Sequence, residues 1–449
     1  MKTLIVPRWL LSMQDPVHIQ EGMAVLLNGE KIAAIGSSEH LLHQYPDARR
    51  IDRPDHVLMP GLINAHAHAA MNLLRGVGDD LPLMEWLQKR IWPLESALVD
   101  EQFVYDGTVL ACAEMLLGGI TTFSDMYFFP GAAVRAALAM GNRIVAGATV
   151  LEFPTRYAND ARDYLNKGLA ARDLTLGESR VHWSLAPHAP YTVSDEIFRE
   201  IAVLAEQLDL PIHTHVHETL SEVEDGIARH GCRPLARLKR LGLLTERLIA
   251  VHAVHLNGDD IDDLAHAGAN IVHCPASNLK LASGFSPVAQ ASTKGVNVAL
   301  GTDGAASNNR LDLWADARLA ALLAKAVAND ATAFSARQTL SALTRDAACA
   351  LGLEHKIGQV RNGFAADLIC IEIPLDSFNQ PAPDVLSHLI YVGDRKNVSD
   401  VWVAGQQVVQ MRQLRPEASS LLTEILRNCD ALWQTRTREA LGSGISLAN

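Results

Sequence analysis

Histidine and acidic residues recur in spacings that suit metal-assisted hydrolysis. His66 and His68 are two residues apart, and side chains at i and i+2 of an extended strand point to the same side. Residues 213–218 contain three histidines and an acid, and Asp303 follows an apolar run. Three imidazoles and one carboxylate form a donor set that zinc accepts, with an open position for water. The sequence therefore predicts a divalent metal centre.

The third imidazole ligand has to be chosen from His213, His215 and His217, which share one side of a strand by alternation. We predict His215, because Glu218 lies three residues later, where the strand should give way to a loop. A carboxylate there can reach a substrate without being a metal ligand. His213 is then expected to pack inside the fold, and His217 to occupy a supporting or surface position.

The predicted ligands are therefore His66, His68, His215 and Asp303. We expect one zinc ion per subunit, with Fe, Mn or Co as substitutes, because these ions accept the same nitrogen and oxygen ligands. Such an ion lowers the pKa of a bound water to near 7. Two-metal barrels usually bridge their ions with a lysine at the fourth strand end. Residues 185–188, at the end of the fourth of eight strand-length apolar runs in this sequence, contain no lysine, and this favours a single ion.

The elements that must position these residues are apolar runs of strand length that alternate with helix-like stretches. Eight such runs predict an α/β fold, a (β/α)8 barrel of the TIM type, whose strands are buried on both sides. The carboxyl ends of its strands converge on one mouth, so that residues 240 positions apart lie close together. The predicted strands are residues 57–63, 120–125, 143–150, 181–185, 211–216, 248–252, 269–274 and 296–302.

Both ends of the chain show a different pattern, of short strands separated by turn formers such as Asn28-Gly29 and Ala404-Gly405. We predict that these ends form one small β-sandwich domain, interrupted by the barrel. The predicted division is a β-sandwich part at 1–58, the hydrolase barrel at 59–365 and a second β-sandwich part with a terminal helix at 366–449.

Composition limits the other classes of function. The net charge of −12, from 39 basic and 51 acidic residues, argues against nucleic acid as the main partner. Six scattered cysteines without a CxxC pair argue against a disulfide framework and a cysteine-ligated zinc. Pro7 and Arg8 interrupt the N-terminal apolar run, and no apolar stretch reaches the roughly 18 residues that span a bilayer. We therefore expect a cytoplasmic protein without a membrane partner; the sequence leaves the oligomeric state open, a homo-oligomer included.

Several segments resemble the amidohydrolase superfamily, namely residues 59–68, 215–218, 251–256 and 301–309. More narrowly, the chain is similar to the 5′-methylthioadenosine/S-adenosylhomocysteine deaminases. That similarity rests on residues 74–76, 80–87, 91–95 and 273–281, and it extends over most of the chain.

The resemblance implies zinc-dependent hydrolytic deamination of the adenine ring of a 5′-substituted adenosine, which yields the inosine analogue and ammonia. The substrates implied are 5′-methylthioadenosine, S-adenosylhomocysteine and adenosine. Activated water would attack C6, Asp303 would take its proton, and Glu218 would hand a proton to ring N1. His252 would polarise the nucleophile or stabilise the developing charge. His255 competes for that last role, but it falls past the strand end.

The same resemblance implies the substrate contacts. Glu95 would accept hydrogen bonds from the ribose hydroxyls, and His188, Glu218 and Asp303 would also contact the substrate. Arg156 lies in a region that could bind a carboxylate tail, but its segment does not clearly match a family arginine. The missing match to a family arginine favours methylthioadenosine or adenosine over S-adenosylhomocysteine, which has a charged amino-acid tail.

Two alternatives remain open from the sequence. The first is a deaminase or chlorohydrolase acting on another N-heterocycle such as guanine, 8-oxoguanine or a triazine. Glu95 discriminates here, because a free base has no ribose. The second is a non-enzymatic assembly protein that has lost its metal. The presence of all four ligand residues argues against it.

Overall fold

The computed structural model describes residues 2–373 and 384–442, which form a parallel eight-stranded barrel and a mixed nine-stranded sheet. The predicted C-terminal segment 366–449 also includes residues 374–383 and 443–449, which lie outside the described residues.

The N-terminal part of the chain supplies five strands to the mixed sheet. β1 pairs antiparallel with β2 and β3, β3 pairs antiparallel with β4, and β1 pairs parallel with β5. Helix α1 (Ser38–Gln44) follows β4, and the Ser37 side chain caps its first turn by accepting from the backbone N–H of His40. The strands are β1 (Lys2–Leu11), β2 (Ile19–Glu21), β3 (Met23–Asn28), β4 (Lys31–Ser37) and β5 (Arg49–Pro60).

The barrel strands follow one another in chain order around the sheet, each parallel to the next. Nearly all their residues are buried, which is why they are continuous apolar runs in the sequence rather than alternating patterns. They are β6 (Leu62–Ala67), β7 (Ile120–Asp125), β8 (Arg143–Val150), β9 (Val181–Pro187), β10 (Ile212–Val216), β11 (Leu248–His252), β12 (Asn270–His273) and β13 (Asn297–Leu300).

Side-chain hydrogen bonds connect the first and last barrel strands. Thr302, just after β13, donates its backbone N–H to Asn64 Oδ1 (2.9 Å), and Asn64 Nδ2 donates to Thr302 Oγ1 (2.8 Å). The backbone N–H of Asp303 donates to the carbonyl of His66 (3.1 Å). These bonds bring the two ends of the barrel together beside two of the predicted metal ligands.

Helices connect the strands and cover the barrel. Residues 83–98 form one continuous helical segment whose central turn, Leu87–Ile91, is a π-helix. A 3₁₀ helix covers Ala69–Leu74. The α-helices are α2 (Leu83–Trp86), α3 (Trp92–Leu98), α4 (Glu101–Leu117), α5 (Pro130–Met140), α6 (Ala161–Asp173), α7 (Asp195–Leu208), α8 (Leu220–His230), α9 (Pro234–Arg240), α10 (Gly258–Ala267), α11 (Pro275–Lys280), α12 (Val288–Thr293), α13 (Leu313–Ala328), α14 (Ala336–Ala342) and α15 (Arg345–Ala350).

The C-terminal part returns to the first sheet. β14 (Leu368–Glu372) pairs antiparallel with β5, and β15 (Val398–Val403), β16 (Gln406–Gln410) and β17 (Gln413–Leu414) extend the sheet outward. The predicted barrel with a small β-structure built from both termini is thus confirmed; the domain bounds at 58 and 365 stay a prediction. The remaining helices are α16 (Val385–Ser387), a π-turn (His388–Val392), a 3₁₀ turn (Arg395–Asn397) and α17 (Pro416–Gly442).

Among the described helices, none combines the length and apolar character needed to cross a bilayer.

The predicted first barrel strand, residues 57–63, is wrong. Its first part belongs to β5 of the mixed sheet, and the barrel strand begins at Leu62 and continues through Ala67. Gly61 lies at the junction, where an added Cβ would come within 2.2 Å of Thr121 Oγ1. One uninterrupted apolar run therefore passes through two sheets, because both of its halves are buried.

Candidate active site

The four predicted ligand side chains converge at the mouth of the barrel. Asp303 Oδ1 lies 3.3 Å from His66 Nε2 and 3.3 Å from His68 Nε2. His215 Nε2 lies 3.3 Å from His66 Nε2. The chain separates these residues by more than 200 positions, and the barrel brings them into one cluster, as the strand-end argument predicted.

The outer nitrogen of each ligand imidazole is engaged by a fixed partner. His68 Nδ1 lies 2.5 Å from the carbonyl of Met126, and His215 Nδ1 lies 2.7 Å from the carbonyl of His188. A nitrogen that faces a carbonyl must carry the hydrogen. Each ring therefore presents an Nε2 lone pair to the centre of the cluster, which is the tautomer that a metal ligand needs.

His213 continues this arrangement behind His66. His66 Nδ1 lies 3.0 Å from His213 Nε2, and His213 Nδ1 lies 3.2 Å from Ser124 Oγ. With the Nε2 of His66 facing inward as a lone pair, its Nδ1 hydrogen is donated to His213. His213 is fully buried, as expected, but it does more than fill space, because it orients His66.

Two serines hold the other oxygen of Asp303. Ser277 Oγ donates to Asp303 Oδ2 at 2.6 Å, and Ser307 Oγ donates to the same oxygen at 2.7 Å. The carboxylate is thus fixed from behind, and Oδ1 remains directed at the histidines. Asp303 has φ of 60°, a left-handed backbone conformation that these contacts hold in place. Neither serine was singled out from the sequence.

The electrostatics keep the ligands in the form that binds a cation. Burial lowers the pKa of His66 to about 4, and burial also holds the pKa of His215 well below its usual value, so both rings are neutral near pH 7. Burial opposes ionisation of Asp303, but the adjoining imidazoles of His66 and His68 hold its pKa well below the usual range. Neutral imidazoles and one carboxylate fit a divalent ion.

Glu218 and His252 lie beside the cluster. Glu218 Oε2 is 3.7 Å from His252 Nε2, and His252 Nδ1 is 2.8 Å from Asn278 Oδ1. Burial raises the pKa of Glu218, and an upward shift is the direction that suits a carboxyl group acting in proton transfer. Glu222 fixes the turn that carries Glu218 by accepting the backbone N–H groups of His217 and Glu218 at 2.9 and 2.8 Å.

A pocket extends from this cluster to Glu95 on α3. Tyr127 Oη donates to Glu95 Oε1 at 2.7 Å, and the enclosed position of this carboxyl raises its pKa to about 7. His188 lines the same pocket, where burial lowers its pKa to about 3, and its Nδ1 is 3.1 Å from Thr192 Oγ1. All the predicted substrate-contacting residues therefore face one cavity.

Three further residues weighed in the sequence take different positions. Arg156 lines the pocket, and its Nη1 donates to the carbonyl of Ala97 at 3.1 Å. His255 points away, with Nε2 2.7 Å from the carbonyl of Ser283. His217 accepts the backbone N–H of Leu235 at 3.1 Å and lies in a supporting position rather than at the surface.

Comparison with known proteins agrees with this geometry. Residues 57–408 match the amidohydrolase family. The chain therefore belongs to the amidohydrolase family, and it is a hydrolase. A 5-methylthioadenosine/S-adenosylhomocysteine deaminase of Saccharophagus degradans is 44% identical over 98% of both chains. A similarly named relative from Teredinibacter turnerae is 44% identical over 90% of this chain and 92% of the relative.

Solved structures show the same likeness. The crystal structure of an adenosine deaminase from Xanthomonas campestris with bound zinc has a TM-score of 0.93 and 44% identity, and the match covers 97% of this chain and 98% of that one. A zinc complex of an atrazine chlorohydrolase from Arthrobacter aurescens has a TM-score of 0.86 and 26% identity, covering 94% and 99%. The resemblance stated from the sequence is confirmed.

Proposed function

We propose that the protein hydrolytically deaminates the adenine ring of a 5′-substituted adenosine, releasing ammonia and the inosine analogue. 5′-Methylthioadenosine, S-adenosylhomocysteine and adenosine are the proposed substrates. The observation that carries the proposal is one pocket with the histidine–aspartate cluster at one end and Glu95 at the other. The names of the relatives, which are adenosine-type deaminases, support the same substrate class.

His66, His68, His215 and Asp303 would hold one zinc ion, or Fe, Mn or Co in its place. A zinc ion in such a site lowers the pKa of its water and supplies a nucleophile at neutral pH. The absence of a lysine after β9 supports a single ion, because His188 occupies the corresponding strand end.

The neighbouring residues would handle the protons of the reaction. Asp303 is positioned to accept the proton of the attacking water, since its Oδ1 faces the cluster while two serines hold Oδ2. Glu218 would deliver a proton to ring N1, which converts the adenine into a better electrophile at C6. His252 is held by Asn278 and would orient the nucleophile and stabilise the charge that develops.

The far end of the pocket would bind the ribose. Glu95 Oε1 accepts the hydroxyl of Tyr127, and the remaining lone pairs of the carboxylate can accept hydrogen bonds from the two vicinal ribose hydroxyls. Trp86, Trp92 and Phe128 line the surrounding wall and offer apolar surface to a nucleoside. This assignment does not favour the alternative of a free base or a triazine, because neither has a ribose for Glu95 to bind.

A substrate panel tests the proposal. Methylthioadenosine, S-adenosylhomocysteine, adenosine, guanine and a chlorotriazine are compared by ammonia or chloride release. We expect turnover of the nucleosides and, for Glu95→Ala, a loss of about 10- to 100-fold in kcat/KM, the effect of losing charge-assisted hydrogen bonds. Glu85→Ala, on α2 of the same helical segment, is the control. Turnover of guanine or the triazine alone would overturn the proposal.

A further inference from the structure

A buried acid outside the active-site cavity connects the elements that support it. Asp316 lies in the first turn of α13, is 1% exposed and does not line the pocket. Its Oδ1 accepts the backbone N–H of Ala276 at 3.1 Å, and its Oδ2 accepts Nδ2 of Asn308 at 3.0 Å. One carboxylate thus joins helix α11, which follows β12, to the loop that follows β13.

Each of these two segments carries a side chain that holds Asp303. Ser277 follows Ala276 in α11, and Ser307 precedes Asn308 in the loop. Both hydroxyls donate to Asp303 Oδ2, so the two anchors of this ligand depend on segments that Asp316 fixes. Ser277 and Ser307 are buried, and each stands one residue from a residue bonded to Asp316.

Helix α11 also supports the residue proposed to orient the nucleophile. Asn278 follows Ser277, and its Oδ1 lies 2.8 Å from His252 Nδ1. A shift of α11 would therefore move the partners of Asp303 and of His252 together. Active-site groups need to be held within about 0.5 Å of their productive positions by such supporting contacts.

We propose that Asp316 is a positioning residue that sets the geometry of the metal ligand Asp303, acting through Ser277 and Ser307. The inference rests on the proposed metal site, but it adds a residue that neither touches the ligands nor faces the substrate. Supporting partners of this kind typically change metal affinity about 10- to 100-fold.

Asp316→Asn is the sharpest test, because the amide matches the shape of the carboxylate. Both partners of Asp316 are donors, so an asparagine can accept only one of their bonds and turns its own NH₂ toward the other donor. Asn308 cannot compensate by flipping, because its Nδ2 also donates to the carbonyl of Thr302 at 2.8 Å. The substitution therefore removes one of the two hydrogen bonds, to Ala276 or to Asn308, with little change in side-chain volume.

The measurement is zinc dissociation from the loaded full-length protein by competition with a chelator. We expect the zinc Kd of Asp316→Asn to rise by about 10-fold or more. Asp312→Asn is the matched control, because Asp312 is another buried acid at the start of α13, and its partners, the backbone N–H of Ala315 and the guanidinium of Arg310, lie outside α11 and outside residues 301–309. Its zinc affinity should remain within about twofold of wild type.

A second arm tests whether Asp316 acts through the serines. In a Ser277→Ala/Ser307→Ala background, Asp316→Asn should have little further effect on the zinc Kd. An unchanged affinity in the single variant, or a full additive loss in the triple variant, would overturn the inference. A lower thermal midpoint of the metal-free protein with normal zinc affinity would indicate a structural role only. Failure of the wild type to bind zinc would instead refute the proposed metal site.

Discussion

Glu218 Oε2 lies 3.7 Å from His252 Nε2 at the edge of the histidine cluster, and a substitution of Glu218 tests its proposed role in proton transfer. Glu218→Gln keeps the side-chain shape and leaves the backbone N–H bonded to Glu222, but it cannot carry a proton to the substrate. We expect kcat to fall by about 10²- to 10⁴-fold, the usual contribution of a general acid–base group. Zinc content, measured by metal analysis, should remain at the wild-type value.

Glu224→Gln provides the control, because Glu224 is an exposed acid on α8, the helix that follows Glu218. Near-normal turnover by Glu218→Gln would exclude the proton-transfer role. A loss of zinc in that variant would show that Glu218 supports the metal rather than the chemistry.

His213 gives a second prediction for a single residue, because it bonds the outer nitrogen of His66. His213→Leu keeps an apolar side chain of similar size in the barrel but leaves the His66 Nδ1 hydrogen without an acceptor. We expect zinc affinity to fall by about 10- to 100-fold. His182→Leu, at the start of β9, is the control and should retain zinc. Equal zinc affinity for the two variants would contradict the role of His213.

The role of His213 shows what alternation can and cannot predict at this scale. It places His213 and His215 on the same side of β10, but depth along the strand decides which of them reaches the metal. The position of Glu218 indicated where the strand ends, and therefore that His215 lies closer to the barrel mouth than His213. The bond from His213 to His66 joins β10 to β6, and no local pattern in one sequence reports a contact between distant strands.

At the scale of elements, the closure of the barrel depends on a close approach between β13 and β6. An added Cβ at Gly301 would come within 2.9 Å of the backbone N and O of His66. Gly301→Ala should therefore force the strands apart beside the metal ligands and cost about 1–3 kcal/mol of stability. We expect a lower thermal midpoint together with a reduced zinc content.

Gly258→Ala at the start of α10 serves as the control, because an added Cβ there meets no atom within 4 Å. If Gly301→Ala melted at the wild-type temperature with full zinc, the close approach would not be required for the site.

The elements themselves were largely predictable, since seven of the eight predicted barrel runs correspond to strands of the same region. The prediction for residues 57–63 failed because the end of β5 and all of β6 are buried, so hydrophobicity does not show where the chain passes from one sheet to the other. The short helix α11 was not predicted from its pattern either. Its six residues are too few to show a helical period, yet they position Ser277 and Asn278.

At the scale of the whole molecule, one buried ion pair connects the barrel to the mixed sheet. Arg143 begins β8, and it donates to both oxygens of Asp367, at 2.8 Å from Nε and 3.1 Å from Nη2. Asp367 Oδ1 also accepts the backbone N–H of Ala404, and its carbonyl accepts that of Gly61, where β5 passes into β6. The pair thus holds the crossing between the two sheets.

Breaking this pair should destabilise both sheets together. Arg143→Met leaves the Asp367 carboxylate buried without its cation, and such a change costs about 3–5 kcal/mol. We expect a single unfolding transition at a clearly lower temperature, and partial recovery in Arg143→Met/Asp367→Asn, whose neutral amide still accepts the Ala404 N–H. Arg135→Met removes an exposed pair with Glu101 and should change little. Two separate transitions in Arg143→Met would contradict the expected joint loss of both sheets, and an unchanged midpoint would mean that apolar packing alone joins them.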